Sequence, residues 1–402
     1  MRVIFVTGDR FPKEGACTGL LKNLFFKGGL LEQCTKIDVL VADDLYSDIQ
    51  AEDYNGITVY HHNCLQKISV NDYKRIFFRH PILTIIGMLI KAISKKRKTF
   101  VKPINCKNIE RKINKICFKK YDVIFSVMGT LDTVPACLKY KQNNPDIKFV
   151  VYQVDPCRSN EAYKPQTLKE RQSFERELYE TADRIITTPI LLEESKQIYP
   201  QSIIDKMVAM EFPNVVPGYE DESGDGEKIR CLFTGLIYGD FRDPTYTFRL
   251  FDKLNEGTDF EIIGSIASHF AEEAKKHCVI CHGRKSLDET KAELRKAHIL
   301  VNIGNRMTNQ VPSKIFEYIS YGKPIVNICK NRNCPSLSYL ENYPYVLNLF
   351  EEEDCFEEQA EKLNTFIKET YNKRISAEEI ERLYEKCTPE FCAKQMWETI
   401  NN

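Results

Sequence analysis

Short β-branched runs alternate with amphipathic helical stretches along this chain, and the alternation occurs twice. Residues 3–6, 37–41, 121–127, 148–154 and 184–188 are brief, apolar and rich in Val and Ile, the pattern of buried strands. Helical spacing fills the gaps, as at residues 19–33 and in the polar stretch 165–182. A second series follows at 229–235, 259–264, 277–283, 298–304 and 324–328. Alternation of this kind builds parallel sheets covered by helices on both faces. Residues 212–228 interrupt it with two Pro, three Gly and a run of acids, which reads as a linker or hinge. At 402 residues the chain is long enough for two cores. The expected organisation is a domain over 1–212, a linker over 213–228, a second domain over 229–385 and a terminal helix within 386–402. That helix carries Phe391 and Trp397, and the sequence does not say where it docks.

The net charge is zero, but the first 120 residues hold 22 Lys and Arg against 11 Asp and Glu. A basic section favours an anionic surface or substrate. A balanced total argues against nucleic acid as the partner. The 15 Cys are odd in number and follow no repeat, so reduced thiols in the cytosol are expected. The N-terminus reads as a strand start and not as a signal peptide. His277-Cys278-Val279-Ile280-Cys281-His282 looks like half a zinc site, yet no second pair stands at a suitable spacing. A strand over 278–280 ending in a loop is the expected reading.

Residues 311–326 carry the most chemistry. Pro312 precedes Ser313, a residue type that caps helices. Ile315, Phe316 and Ile319 fall at helical spacing, Gly322 stops the helix and Pro324 prevents its continuation. A helix start attracts anions, and Lys314 adds positive charge there. Glu317, one turn in, can accept from the two hydroxyls of a ribose. Phosphate and sugar sites side by side suggest a nucleotide-sugar. The loop after the first strand lacks G-x-G-x-x-G, which argues against a dinucleotide. Its Gly15–Gly19 stretch fits either a close backbone approach to a ligand at Gly15 or a tight turn capped by Thr18.

These residues resemble the GT-B glycosyltransferases, and family 4 among them most closely. The resemblance rests on 233-FTGLIY-238 with Arg242-Asp243-Pro244, on His282-Gly283-Arg284, on 297-AHILV-301 and on the 313–326 stretch. Ala182–Thr187 and Phe212–Val216 fit the region before the linker. It implies two Rossmann-like parallel-sheet domains facing across a cleft, with the acceptor on the first and the nucleotide-sugar on the second. Glu317 then matches the second Glu of the family's paired motif and holds the ribose. Ser313 and Lys314 face the phosphates. Arg242 meets the diphosphate, for which a guanidinium is suited. Tyr238 belongs to the loop beside the donor, and Gly283-Arg284 lies where the backbone meets the base. The chain departs from the family in three places. Asn309 stands where the first Glu is expected. The second basic residue after Arg242 is missing. Asp155 is the nearest candidate for the acceptor-side catalytic position that many relatives fill with His.

The expected reaction is transfer of a sugar from a nucleoside diphosphate sugar, with uridine as the default base, to a glycan or polyprenyl-linked acceptor in cell-surface polysaccharide synthesis. Arg242 and Lys314 would stabilise the leaving diphosphate, with Asp155 on the acceptor side. No Asp-x-Asp motif lies near a strand end, so no metal and no further cofactor is expected. The resemblance implies retention of the anomeric configuration. Within residues 76–98 the apolar part, 81–90, is bracketed by basic residues and too short to span a bilayer. The whole stretch reads as an anchor on an anionic membrane surface, or as a core helix with a basic end. The anchor places the protein on the inner face of the cell membrane. Alternatives are a nucleotide-sugar epimerase of GT-B shape and a degenerate transferase acting as a binding partner.

Overall fold

The computed structural model describes residues 1–9, 11–13, 15–42, 50–61, 103–117, 120–128, 133–160, 167–224, 228–237, 242–353 and 355–401. Two compact units result, one formed by Met1–Pro213 with Pro389–Asn402, the other by Asn214–Thr388. Each is an α/β layer structure built on a parallel sheet.

The strands of the first unit are β1 (Arg2–Thr7), β2 (Lys36–Val41), β3 (Gln50–Tyr54), β4 (Ile57–His61), β5 (Val123–Val127), β6 (Lys148–Gln153), β7 (Arg184–Thr187) and β8 (Met207–Ala209). They lie in the order β3-β4-β2-β1-β5-β6-β7-β8. All neighbours are parallel except β3 and β4. Val3, Ile4, Phe5 and Val6 are fully buried at the centre, which is why a β-branched run opens the chain.

The single helix expected over 19–33 is broken. Ala16–Lys22 is followed by a π-helical turn, Asn23–Lys27, and by a short helix, Leu30–Gln33. The break falls at Gly28 and Gly29, and a Cβ on Gly28 would overlap the Pro389 carbonyl oxygen. The terminal helix, Pro389–Asn401, therefore belongs to the first unit. It buries Cys392, Ala393, Met396 and Ile400 there, while Phe391 and Trp397 stay half-buried. Gln395 donates to the Ala209 carbonyl at 2.7 Å, and Lys148 donates to that of Ile400 at 2.8 Å. The basic helix Pro103–Cys117 turns Ile109, Ile113, Ile116 and Cys117 into the first core. The suggested anchor at 76–98 lies outside the described residues. Among the described residues no helix is long and apolar enough to cross a membrane.

The strands of the second unit are β9 (Ile229–Ile237), β10 (Thr258–Ile266), β11 (Ile280–Cys281), β12 (Ile299–Ile303), β13 (Ile325–Cys329) and β14 (Val346–Phe350). All are parallel, in the order β11-β10-β9-β12-β13-β14. Phe233, Phe248, Phe260, Ile262, Val301, Val326 and Leu363 fill its core. The order reverses between β9 and β12, and crevices at such points are where open parallel sheets bind ligands. β11 is shorter than the expected strand, because Cys278 sits at φ 54 and a left-handed residue breaks a strand.

The stretch expected as a linker packs along the second unit. The Val216 N–H donates to Ser320 at 2.9 Å, and Tyr219 stacks on Tyr321 at 4.3 Å. Asp221 pairs with Lys323 at 2.7 Å and with Arg374 at 2.6 Å. Lys323 is fully buried and also donates to the carbonyls of Arg295 and Ala297. Burial pulls its ammonium down to about 8 despite the Asp221 partner.

Candidate functional site

The C-terminal ends of β9, β10 and β12 carry a connected set of groups. Gly235 and Gly264 stand opposite one another in the β9–β10 ladder. Neither has room or backbone freedom for a side chain, with φ 153 and φ 144. A Cβ on Gly264 would overlap the Gly235 carbonyl oxygen. The Gly264 N–H donates to the Gly283 carbonyl at 2.8 Å, which ties the Gly283-Arg284 loop to the same edge. Arg284 itself is exposed there.

Arg242 closes over this edge. Its Nη2 donates to Asn305 Oδ1 at 2.6 Å and its Nη1 to the Leu236 carbonyl at 3.2 Å. The guanidinium lies 5.7 Å from the Phe233 ring centre. Asn305 is buried and escaped the sequence reading. Its only signal was a polar residue two positions past the end of β12.

The helix Lys314–Ser320 is held to β9 by Tyr318. This buried hydroxyl accepts from the Thr234 N–H at 2.8 Å and lies 3.2 Å from the Thr234 hydroxyl. The helix ends as expected, with Gly322 at φ 63. Its start does not follow expectation. Ser313 is itself helical, at φ −58 and ψ −22, and makes no side-chain capping bond. A cap must sit in extended backbone for its oxygen to reach back to the first N–H groups, so Ser313 is no cap. Lys314 and Glu317 pair with each other through Nζ and Oε2. Burial opposes the Lys314 charge, but Glu317 outweighs it and raises the ammonium above its ordinary value. Asn309 is half-buried in the loop before this helix. Tyr238 lies outside the described residues.

An ion cluster supports the Arg284 loop. Arg230 donates to Glu261 at 2.6 Å and to Glu293 at 2.8 Å. His282 lies 2.7 Å from Glu261, and Lys285 donates to Glu293 at 2.7 Å. Burial works against the Glu293 charge, yet Lys285 and Arg230 hold its carboxyl down at about 2. A carboxyl lowered on folding stabilises above its unfolded value and loses that contribution as pH falls through the folded one. Glu293→Gln should therefore cost about 1 kcal/mol at neutral pH, after discounting for solvent. The difference from wild type should close between about pH 4.5 and pH 2 in urea melts taken across that range. A gap that persists at the acid end would show that the charge is not what stabilises. The two histidines of the half zinc motif diverge: His277 faces Asp252 and Glu273, and His282 faces Glu261.

Gly15 and Asp155 belong to the first unit. Gly15 sits at φ 127, and a Cβ there would overlap the Asp9 carboxylate. Asp9 Oδ2 accepts from the N–H groups of Cys17, at 2.7 Å, and Thr18, at 3.3 Å. The chain's own carboxylate thus occupies this helix start. Burial raises the Asp9 carboxyl, and these N–H bonds only partly offset the rise. Burial pushes the Cys17 thiol up, with Asp9 and Asp155 adding to it, so Asp155 stands within electrostatic reach of this turn. A cavity of about 250 Å³ opens beside Asn305, lined by Asp243, Thr247, Gly304, Arg306, Cys329 and Lys330. Asp243 belongs to the Arg242-Asp243-Pro244 motif, whereas Arg242, Lys314 and Glu317 are not among the lining residues.

No family model matches the chain, and no curated protein matches it. Solved structures do. Anabaena HepE, in complex with UDP and glucose, aligns with TM-score 0.65 at 11% identity over 100% of this chain and 99% of its own. The Burkholderia vietnamiensis α,α-trehalose-phosphate synthase (UDP-forming) aligns with TM-score 0.65 at 9% identity over the full length of both. The lipopolysaccharide outer core galactosyltransferase WaaB aligns with TM-score 0.58 at 11% identity over 100% of this chain and 99% of its own. The fold is GT-B. At such low identity the likeness concerns the path of the chain. In this chain Arg242 follows β9, and Lys314 and Glu317 lie on the helix between β12 and β13 of the second sheet.

Proposed function

We propose that the protein is a glycosyltransferase that takes its sugar from a nucleoside diphosphate sugar, with UDP as the nucleotide. The reading is carried by one observation. Two fixed cations and a carboxylate, Arg242, Lys314 and Glu317, stand on elements tied to the end of β9, where the sheet order reverses. The UDP in complex with HepE and the UDP-forming reaction named for the trehalose-phosphate synthase support the choice of nucleotide.

In this mechanism the bond between the anomeric carbon and the β-phosphate oxygen breaks. Negative charge grows on the diphosphate while the sugar takes on oxocarbenium character. Arg242 and Lys314 meet that growing charge from positions set before the reaction, so little reorganisation is needed. The Lys314–Glu317 pair opens as the nucleotide enters. Diphosphate oxygens replace Glu317 as acceptors for Lys314, and the ribose hydroxyls donate to Glu317. Arg284 lies toward the base and Asn309 toward the sugar. Retention of configuration, a glycan or lipid-linked acceptor held on the first unit near Asp155, and work at an anionic membrane surface complete the proposal.

Thermal unfolding with UDP, GDP, ADP and CMP tests it. A ligand at about 100 times its dissociation constant stabilises the native state by about 2.7 kcal/mol. UDP should therefore raise Tm by several degrees, and the other nucleotides by less. Glu317→Ala should remove most of the UDP shift. No shift with any nucleotide, together with no UDP release from UDP-sugars, would overturn the reading.

A further inference from the structure

β13 ends at Cys329, and the loop that follows returns at Cys334, whose N–H donates to the Asn331 carbonyl at 3.3 Å. Cys329, Cys334 and Phe350 form a small apolar cluster of their own, with Leu337 against it. Ser336 Oγ lies 3.0 Å from the Cys334 sulfur and 3.8 Å from that of Cys329. The Asn327 amide donates to Cys329 at 3.2 Å. Ser336 Oγ, whose own hydrogen goes to Asn327 Oδ1 at 3.0 Å, thus brings the two sulfurs to one atom. Cys329 also lines the 250 Å³ cavity, which gives small solutes a way in. Gly304 at the end of β12 packs on both residues, since a Cβ there would meet Cys334 Sγ at 3.3 Å and Cys329 Cα at 3.7 Å.

We infer that Cys329 and Cys334 form a reversible dithiol–disulfide couple, oxidised by peroxide-class oxidants, that constrains the end of β12. The Cys334 sulfur attacks one peroxide oxygen, the O–O bond breaks, and the leaving hydroxide departs as water once protonated. The Cys329 sulfur then attacks the resulting sulfenic acid. The S–S bond forms, the S–O bond breaks, and the second oxygen leaves as water with the Cys329 proton. Two thiols and one peroxide give one disulfide and two waters. Cys329 and Ser336 beside it draw the Cys334 thiol down from its ordinary value. Cys117 and Cys137 make the contrast: both lie in the apolar core of the first unit, and burial raises Cys117 to about 12 and raises Cys137 as well. Closing the 329–334 loop fixes it against Gly304 and hence against Asn305, the partner of Arg242.

Brief treatment of the native full chain with hydrogen peroxide, alkylation under denaturing conditions and tryptic mass mapping test the couple. Cleavage after Lys330 and Arg332 separates the two cysteines, so the disulfide appears as a linked peptide pair that dithiothreitol releases. That pair should form before Cys117 or Cys137 loses alkylation, and should be absent in Cys334→Ser. Amide exchange at 303–306 should slow in the oxidised wild type. Both thiols remaining alkylatable, or running straight to sulfinic acid, would overturn the couple. A linked pair with unchanged exchange at 303–306 would overturn its hold on β12. Neither readout depends on the nucleotide-sugar reading, so the two can fail separately.

Discussion

Arg242→Ala is expected to lower kcat with the correct UDP-sugar by about 10²–10³, the range for removing one preorganised donor to a developing negative charge. The geometry makes this the most sensitive single side chain. Asn305 and the Leu236 carbonyl hold two of its nitrogens, so the guanidinium is positioned before substrate arrives. Removing a group that acts on the breaking bond should lower kcat and kcat/KM together, whereas removing a binding group should raise KM alone. Arg242→Lys should keep the charge, lose the Asn305 geometry and recover only part of the rate. Asn305→Ala should reproduce a fraction of the same loss, because it frees the guanidinium without removing it. Steady-state kinetics on the three variants decides the matter. An Arg242→Ala enzyme within about threefold of wild type would remove Arg242 from the chemistry.

The two-sheet architecture was open to inspection because parallel strands are buried on both faces and read as continuous apolar runs. β1, β6, β12 and β13 all have that character. Strands that break the rule went unseen. β3 is almost wholly exposed and β14 half so, since both lie at sheet edges. The Asn55-Gly56 turn, at φ 50 and 84, was a usable hairpin signal for β3 and β4. In the candidate site, charged residues on a recognisable helix and loop stood out. Their supports did not, because support is a matter of distance in space. Asn305 reaches Arg242 across 63 positions and Tyr318 reaches Thr234 across 84. The Lys314–Glu317 pair was legible as helical spacing, but its meaning changed. Two roles assigned separately turn out to share one ion pair.

Gly264→Ala should destabilise the protein by about 2–6 kcal/mol, the upper part of which is reached only where packing or backbone is directly violated. Two costs combine. A residue with a Cβ at φ 144 carries strain of about 1–3 kcal/mol. The Cβ also overlaps the Gly235 carbonyl oxygen, and backbone cannot rotate away as a side chain can, so the ends of β9 and β10 must part at comparable cost. Gly257→Ala isolates the first cost, because Gly257 is also left-handed, at φ 84, with nothing within 4 Å of the added Cβ. At about 2–4 °C per kcal/mol for a unit the size of Asn214–Thr388, Gly264→Ala should drop the Tm of that unit by roughly 10 °C and Gly257→Ala by much less. Parting the strands also breaks the Gly264 bond to the Gly283 carbonyl, so the Arg284 loop loses its tether. UDP binding, measured by calorimetric titration well below the melting range, should therefore weaken in Gly264→Ala, although no charged group has been touched. Equal Tm values for the two variants would mean that the strand ends do not meet as closely as their glycines require.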